Sequence, residues 1–175
     1  MTGLEATGAP TAVAGGRAAG LYRRHVAGAL RLAYLLTGDR ALAEDLVQDA
    51  FVRMFGRFQD LRRPEAFAFY LRRTVANLAK DHFRRLQRER TAARRHGDAG
   101  AEEDADLLRL PGHNELLHAL QRLPARQKAA VVLRFCEGLS EHETAEVLAT
   151  SAGAVNSLVS RGLAALRREM GGRDR

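Results

Sequence analysis

The chain has 175 residues, 46% apolar side chains and a net charge of +7, a composition typical of a soluble protein with one medium domain or two small ones. Its longest apolar run is far below the roughly 20 residues of a membrane span. Its single cysteine, Cys136, excludes an intramolecular disulfide and a cysteine-rich zinc site, and is expected to be a small buried residue.

The charge is unevenly distributed along the chain. Residues 1–16 are rich in Ala, Gly and Thr and lack the basic and apolar parts of a secretory signal, which predicts a disordered leader and a cytoplasmic protein. Residues 17–96 carry 18 Arg/Lys against eight Asp/Glu, a net of +10, whereas residues 97–111 carry a net of −4. The positive field therefore lies in the N-terminal half and suggests a polyanionic partner.

Three helical patterns precede the acidic segment, at about residues 17–36, 39–58 and 64–90. The second begins after Asp39, a good N-cap, and its outer face is acidic and polar. Such a face would repel DNA, so any partner that binds it is expected to be a protein. The spacing is equally consistent with a face that is simply exposed to solvent. Its residues are Glu44, Asp45, Gln48 and Asp49.

The third helix carries a basic ridge on the face away from its apolar stripe. Guanidinium and ammonium groups attract phosphates in a salt-sensitive way, while Asn and Asp can make directional bonds to base edges. The alternative is a solvated face. The stripe does not accommodate all of Phe69, Tyr70 and Phe83. We favour packing of these rings between helices; the alternative is that they stack on bases. The ridge comprises Arg72, Arg73, Ala76, Asn77, Lys80, Arg84 and Arg88, with Asp81 and Arg85 close by.

The segment from Thr91 to Pro111 is short in aromatic and β-branched residues, which predicts a flexible acidic linker. Two further helices are predicted, at residues 115–123 and from Pro124 to a stop at Gly138. No segment alternates in hydropathy with turn signals. The fold class is therefore all-α, with two small helical domains joined by the linker.

The C-terminal domain contains a predicted helix-turn-helix. Ser140 and Glu143 form a capping box at the first helix, and Ser151 is the expected cap of the second. Periodicity places Val155, Val159, Gly162, Leu163 and Leu166 on the inner side. Ser157, Ser160, Arg161, Ala164 and Arg168 lie opposite, with Asn156 and Leu158 on the flanks. An ordinary helical hairpin is the alternative, but the short turn and the arginines favour DNA binding.

Three quoted segments together resemble the extracytoplasmic-function (ECF) sigma factors, the smallest class of bacterial sigma factors. They are "AEDLVQDAFVRMF", "RPEAFAFYLRRTVANLAKDHFRR" and "LPARQKAAVVLRFCEGLSEHETAEVLATSAGAVNSLVSRGLAALRR", and their order and spacing agree. The resemblance implies a sigma region 2 domain at residues 17–90, a linker at 91–111 and a region 4 domain at 112–175, after a leader at 1–16.

The resemblance also implies partners and site residues. It implies binding to core RNA polymerase and to promoter DNA, with an anti-sigma protein as a further partner, and no cofactor, metal, membrane or small-molecule substrate. The core polymerase contacts would be Asp45, Gln48 and Asp49. Reading and melting of the minus-ten element, with a flipped base held near Asn77, would use Arg62, Arg63, Arg73, Asn77, Lys80, Asp81, Arg84 and Arg85. The minus-thirty-five contacts would be Ser151, Asn156, Ser157, Ser160, Arg161, Arg167 and Arg168.

The sequence departs from the family at the front of the second helix of the helix-turn-helix. Many members carry Lys and often Arg where this chain has Asn156 and Leu158. A stand-alone regulator that binds an operator as a dimer is the alternative function, although no long apolar seam for a dimer is evident. No phosphate loop, metal-spaced set or nucleophile motif indicates an enzyme.

Overall fold

The computed structural model describes residues 9–57, 66–95 and 113–171, and each element within these ranges is helical, as expected for an all-α protein. None of the helices described is long and apolar enough to cross a membrane. In chain order they are α1 (Ala9–Thr37), α2 (Arg40–Arg57), α3 (Phe67–Arg95), α4 (His113–Arg122), α5 (Ala125–Val131), α6 (Glu141–Leu148) and α7 (Ala152–Gly171), with a π-helical turn (Val132–Cys136) continuing α5.

Helices α1, α2 and α3 pack into the N-terminal lobe. Apolar residues of α2 and α3 face its core, where Phe67 is fully buried and the Phe51 ring lies 6.1 Å from it, centroid to centroid. Helix α1 ends at Gly38, whose φ of +76° lies in the left-handed region that favours glycine. The carboxylate of Asp39 then accepts the backbone N–H of Leu42 at 3.0 Å, which confirms the predicted cap.

Helices α4 to α7 and the π-helical turn form the C-terminal lobe. Helix α7 packs across α5, α6 and α4, with Val155, Gly162 and Leu166 buried on its inner side. Helix α5 follows Pro124, and the π-helical turn leads to Gly138, where φ is +65°. The predicted stop at Gly138 is confirmed, but the π-helical turn was not foreseen.

Two element boundaries differ from the sequence prediction by five residues or more. Helix α1 begins at Ala9, so residues 9–16 belong to a helix and not to a disordered leader. Alanine has the highest helix propensity, and Pro10 is compatible with a first turn, although neither gives an amphipathic signal. Helix α3 extends to Arg95, five residues into the expected linker. Residues 1–8, 58–65, 96–112 and 172–175 lie outside the described part of the chain.

The two lobes pack against each other, an arrangement that was not predicted from the sequence. Helix α3 contacts α6 and α5, while α1 contacts α4 and the π-helical turn. Most of the buried apolar residues of both lobes form one continuous cluster. The C-terminal lobe therefore covers part of the α3 face that was predicted to be an exposed basic ridge.

A close helix crossing gives a stability prediction. A Cβ at Gly162 would lie 2.7 Å from Cγ2 of the buried, stiff Val131 side chain. We expect Gly162→Ala to lower the free energy of unfolding by about 1 to 2 kcal/mol, because overpacking outweighs the gain in helix propensity.

The matched control is Gly28→Ala in α1, where nothing lies within 4 Å of the added Cβ. This change should raise the free energy of unfolding, by up to about 1 kcal/mol, through helix propensity alone. Urea denaturation followed by circular dichroism measures both. Equal stabilisation by the two substitutions would show that the crossing is not tight.

Candidate nucleic-acid interface

The helix-turn-helix is held by caps at both helix starts. The Ser140 hydroxyl accepts the Glu143 N–H at 3.2 Å, and the Glu143 carboxylate accepts the Ser140 N–H at 2.7 Å. Hydrogen bonds from the Ser140 side chain and the Ser140 backbone lower the pKa of the Glu143 carboxyl. The Ser151 hydroxyl accepts the Ala154 N–H at 3.2 Å. Both caps expected from the sequence are confirmed, and they fix the start of α7 relative to α6.

The turn itself uses a conformation that the sequence did not reveal. Ala149 ends α6 with a φ of +49°, and its N–H bonds back to the carbonyl of Glu146 at 3.3 Å. Glycine or asparagine is usual at such a left-handed position, so an alanine carries no recognisable signal there. The three residues from Ala149 to Ser151 turn the chain between the two helices.

The outer face of α7 is open to solvent over its full length. Val155, Gly162 and Leu166 are buried on its inner side, and Leu158, Val159 and Leu163 are half-buried. Ser157 donates its hydroxyl to the carbonyl of Gly153 at 3.0 Å, which leaves the oxygen able to accept a further bond. The side chains that the structure brings together on this exposed surface are Ser151, Asn156, Ser157, Ser160, Arg161, Arg167 and Arg168.

The polar face of α2 is also exposed and includes an apolar residue that was not predicted to belong to it. Asp45, Gln48 and Asp49 are exposed, and Val52 follows at the same helical spacing with 71% of its surface accessible. Glu44 on this face pairs with Arg40 at 3.0 Å. The position of Val52, four residues after Gln48, was available in the sequence as a signal.

On α3 the expected basic ridge is divided into two parts. Arg84, Arg85 and Asp81 are exposed, and Arg85 pairs with Glu89 at 3.7 Å. Asn77 and Lys80 are half-buried rather than exposed, and the Lys80 ammonium donates to the side-chain oxygen of Asn77 at 3.1 Å. Arg62 and Arg63, assigned to the same surface from the sequence, lie outside the described residues.

The N-terminal part of the ridge, which includes Ala76, is covered by the C-terminal lobe. Ala76, expected on the exposed face, is only 5% accessible. A groove between the lobes is lined by Ala76, Lys80 and Phe83 of α3 and by Ala129 and Leu148 of the C-terminal lobe. The assignment of Ala76 to the exposed ridge was therefore wrong, because the periodicity of one helix does not report a second packing partner.

Two of the three aromatic residues outside the apolar stripe of α3 pack against other residues, as we favoured from the sequence. Phe69 packs against the core, and the Phe83 ring lies under the Lys128 ammonium, 5.1 Å from its centroid. Tyr70 is exposed over 42% of its surface. Cys136 is half-buried, and burial raises the pKa of its thiol.

Lys128 is a buried cation at the junction of the lobes. Only 4% of its surface is accessible, and burial lowers its pKa to about 8. Its ammonium donates to the side-chain oxygen of Gln121, whose amide nitrogen donates to the Leu35 carbonyl of α1 at 3.1 Å. Lys128 therefore contacts the N-terminal lobe directly through the Phe83 ring, and indirectly through the hydrogen bond that Gln121 donates to α1. No group of three His, Cys, Asp or Glu side chains in the described ranges could hold a metal ion.

The two lobes coincide with two known family models. Residues 21–89 match sigma-70 region 2, and residues 113–166 match sigma-70 region 4. The RNA polymerase sigma-E factor of Streptomyces avermitilis is 34% identical over 145 residues, 83% of this chain and 80% of the relative. The ECF RNA polymerase sigma factor SigM of Mycobacterium tuberculosis is 34% identical over 151 residues, 86% of this chain and 76% of the relative.

A solved structure shares the fold. The sigma factor RpoE of Bartonella quintana, solved in complex with the anti-sigma factor NepR, superimposes with a TM-score of 0.69 at 22% identity. The match covers 88% of this chain and 96% of that one. At this level of identity the likeness establishes the helical architecture of both lobes.

The lowered pKa of Lys128 gives a pH-dependent stability prediction. In the unfolded chain the amine keeps its ordinary pKa near 10.5, whereas in the folded protein it loses its proton near pH 8. Between these values the unfolded state binds the extra proton, so stability contributed by this group rises with pH. Below about pH 8 the amine is protonated in the folded protein, and burial of this charge lowers the free energy of unfolding.

We therefore expect the free energy of unfolding of the wild type to rise relative to Lys128→Met between pH 8 and 10.5, by up to about 3 kcal/mol. Chemical denaturation at a series of pH values measures this difference. The control is Arg126→Met, an exposed residue of α5 whose guanidinium does not titrate in this range. Parallel pH profiles for wild type and Lys128→Met would contradict the prediction.

Proposed function

The chain belongs to the extracytoplasmic-function sigma factors, and on that premise we propose that it binds core RNA polymerase and directs it to a defined set of promoters. The observation that carries this proposal is the presence in one chain of both sigma-70 regions, each forming a helical lobe with its own exposed polar surface. It acts as a non-catalytic subunit in the cytoplasm, where the polymerase is. A signal-responsive regulon and an anti-sigma protein that withholds the chain from polymerase are part of the same proposal.

The face of α2 is the proposed docking surface for core polymerase. Asp45, Gln48 and Asp49 supply charge and hydrogen-bond acceptors, and Val52 supplies exposed apolar area beside them. Such a combination of a polar rim with an apolar anchor is common in protein interfaces. The negative charges of Asp45 and Asp49 disfavour DNA as the partner of this face, because phosphates would be repelled.

The polar face of α3 is the proposed minus-ten surface. Arg73, Lys80, Arg84 and Arg85 would neutralise phosphates, joined by Arg62 and Arg63. Asn77 and Asp81 offer directional donors and acceptors for base edges. We place the flipped base beside Asn77, whose side-chain oxygen in this structure accepts from Lys80.

The exposed face of α7 is the proposed minus-thirty-five surface. A side-chain amide can make two hydrogen bonds to adenine in the major groove, so Asn156 is the proposed base reader at the front of the helix. Ser151, Ser157 and Ser160 would add shorter contacts. The exposed guanidiniums of Arg161, Arg167 and Arg168 would hold the phosphates.

Run-off transcription with core polymerase tests the proposal. The purified chain plus core enzyme should start transcripts at a small set of defined positions in genomic fragments, and the chain without polymerase should bind the same DNA weakly. Tight, sequence-specific operator binding by the chain alone, without transcription by added core enzyme, would support a stand-alone regulator instead.

The role of Asn77 gives a first functional prediction. Asn77→Ala should reduce promoter opening about 10-fold or more while leaving affinity for core polymerase within about twofold, because the amide contacts only unpaired DNA. Permanganate reactivity of thymines measures opening, and anisotropy of the labelled chain measures core binding. The control is Gln87→Ala, an exposed amide on the same helix. Equal loss in both assays would reject the assignment.

The acidic face of α2 gives a second functional prediction. The double change Asp45→Asn and Asp49→Asn should weaken binding to core polymerase about 10- to 100-fold, equivalent to roughly 1.4 to 2.8 kcal/mol. Glu89→Gln, an exposed acid on α3, is the control and should bind as the wild type does. Unchanged affinity of the double variant would show that polymerase docks elsewhere.

A further inference from the structure

A buried carboxylate lies between the lobes. Glu137 follows the π-helical turn of the C-terminal lobe, and its side chain is only 4% accessible. One carboxylate oxygen accepts from the Arg31 guanidinium of α1 at 3.3 Å, and the other accepts from Nε of Arg72 of α3 at 2.8 Å. A buried carboxylate without partners is strongly unfavourable, so the Glu137 position depends on arginines that only the opposite lobe supplies.

A second acid of the C-terminal lobe pairs with the adjacent arginine of α3. Glu146 of α6 lies 3.3 Å from the Arg73 guanidinium, in a more exposed pair that contributes little by itself. Two carboxylates of the C-terminal lobe thus neutralise two neighbouring guanidiniums on the ridge of α3. They stand where the phosphates of a bound strand would otherwise pair with the same groups.

The same contact covers the α3 surface that we assign to the minus-ten element. Ala76 is buried, and Lys80 and Phe83 line the groove opposite Leu148 and Ala129. A nucleic-acid strand cannot occupy the space that the C-terminal lobe already fills. The surface around Ala76 is therefore accessible to DNA only after the lobes move apart, whereas Arg73 and Lys80 beside it stay partly exposed in the packed state.

We propose that this packed arrangement is a self-inhibited state: the C-terminal lobe masks the minus-ten surface of α3, and the Glu137 contact with Arg31 and Arg72 holds the lobes together. Lobe separation then precedes DNA reading. The masking part of this inference rests on the proposed function of α3, whereas the lobe contact does not.

The first experiment reads lobe separation without DNA. Small-angle X-ray scattering of the free wild-type chain should give a radius of gyration near the roughly 16 Å of a compact 175-residue protein. Glu137→Gln and, separately, Arg31→Gln should increase it. Arg31 has a side chain that is 63% exposed, so its replacement does not endanger the core, and circular dichroism should show unchanged helix content.

The second experiment tests masking by measuring the affinity of each protein for DNA at low salt. The probe is a fluorescein-labelled, mixed-sequence single-stranded DNA of 15 nucleotides. Both variants should bind it about 5- to 10-fold more tightly than the wild type, because the binding-competent open fraction rises. Arg31→Gln is the sharper test, since it removes a positive charge and would otherwise weaken binding to phosphates.

The matched control is Glu169→Gln. Glu169 pairs with Arg122 at 2.7 Å within the C-terminal lobe, so its replacement changes the net charge as Glu137→Gln does but breaks no contact between lobes. It should leave the scattering unchanged and tighten DNA binding by less than about twofold.

The outcomes separate the two parts of the inference. Unchanged scattering in both interface variants, or equal effects of Glu169→Gln, would overturn the contact between lobes as the closing device. Expanded scattering without tighter DNA binding would overturn masking. Failure of the wild type in run-off transcription with core polymerase, by contrast, would reject the proposed function whatever the scattering shows.

Discussion

Helix α3 has two packing partners at once, and the rest of the structure follows from this double use. Its apolar stripe, with Phe67, Leu71 and Val75, completes the core with α1 and α2. Its adjacent polar surface meets α5 and α6 of the other lobe. Because one surface cannot contact both a protein lobe and a nucleic-acid strand, the arrangement of the lobes decides what α3 can bind.

The contact between the lobes has a composition suited to reversible association. It combines a modest apolar patch at Ala76 and Phe83 with a buried Lys128 and a buried Glu137. Buried charges contribute little net stability even when well paired, because desolvation offsets most of the Coulomb attraction. Polar interfaces between domains commonly permit relative motion. The fold can therefore keep each lobe intact while the two lobes separate.

Local sequence patterns predicted those features that depend on near neighbours in the chain. The apolar stripes of α2, α3 and α7, the cap at Asp39 and the capping box at Ser140 all arise from residues within one or two helical turns. The exposed residues of α7 followed from the same periodicity. Positions of the helix ends were less accurate, since alanine-rich segments such as residues 9–16 lack an amphipathic signal.

Features that depend on distant residues were not predictable from such patterns. Arg31 and Glu137 are 106 positions apart, and nothing local marks Glu137 as a buried acid rather than a solvated one. The off-stripe position of Phe83 was the one hint of a second packing surface on α3. The division of the basic ridge into covered and open parts therefore required the tertiary structure.

The most direct test of the double use of α3 is the distance between the lobes in two states. Spin labels on Arg23→Cys of α1 and Met170→Cys of α7, both exposed sites, with Cys136 replaced by Ser, would allow pulsed electron paramagnetic resonance. The account predicts one short distance population in the free chain and a shift to longer distances on addition of core RNA polymerase. The same distance distribution in both states would contradict it.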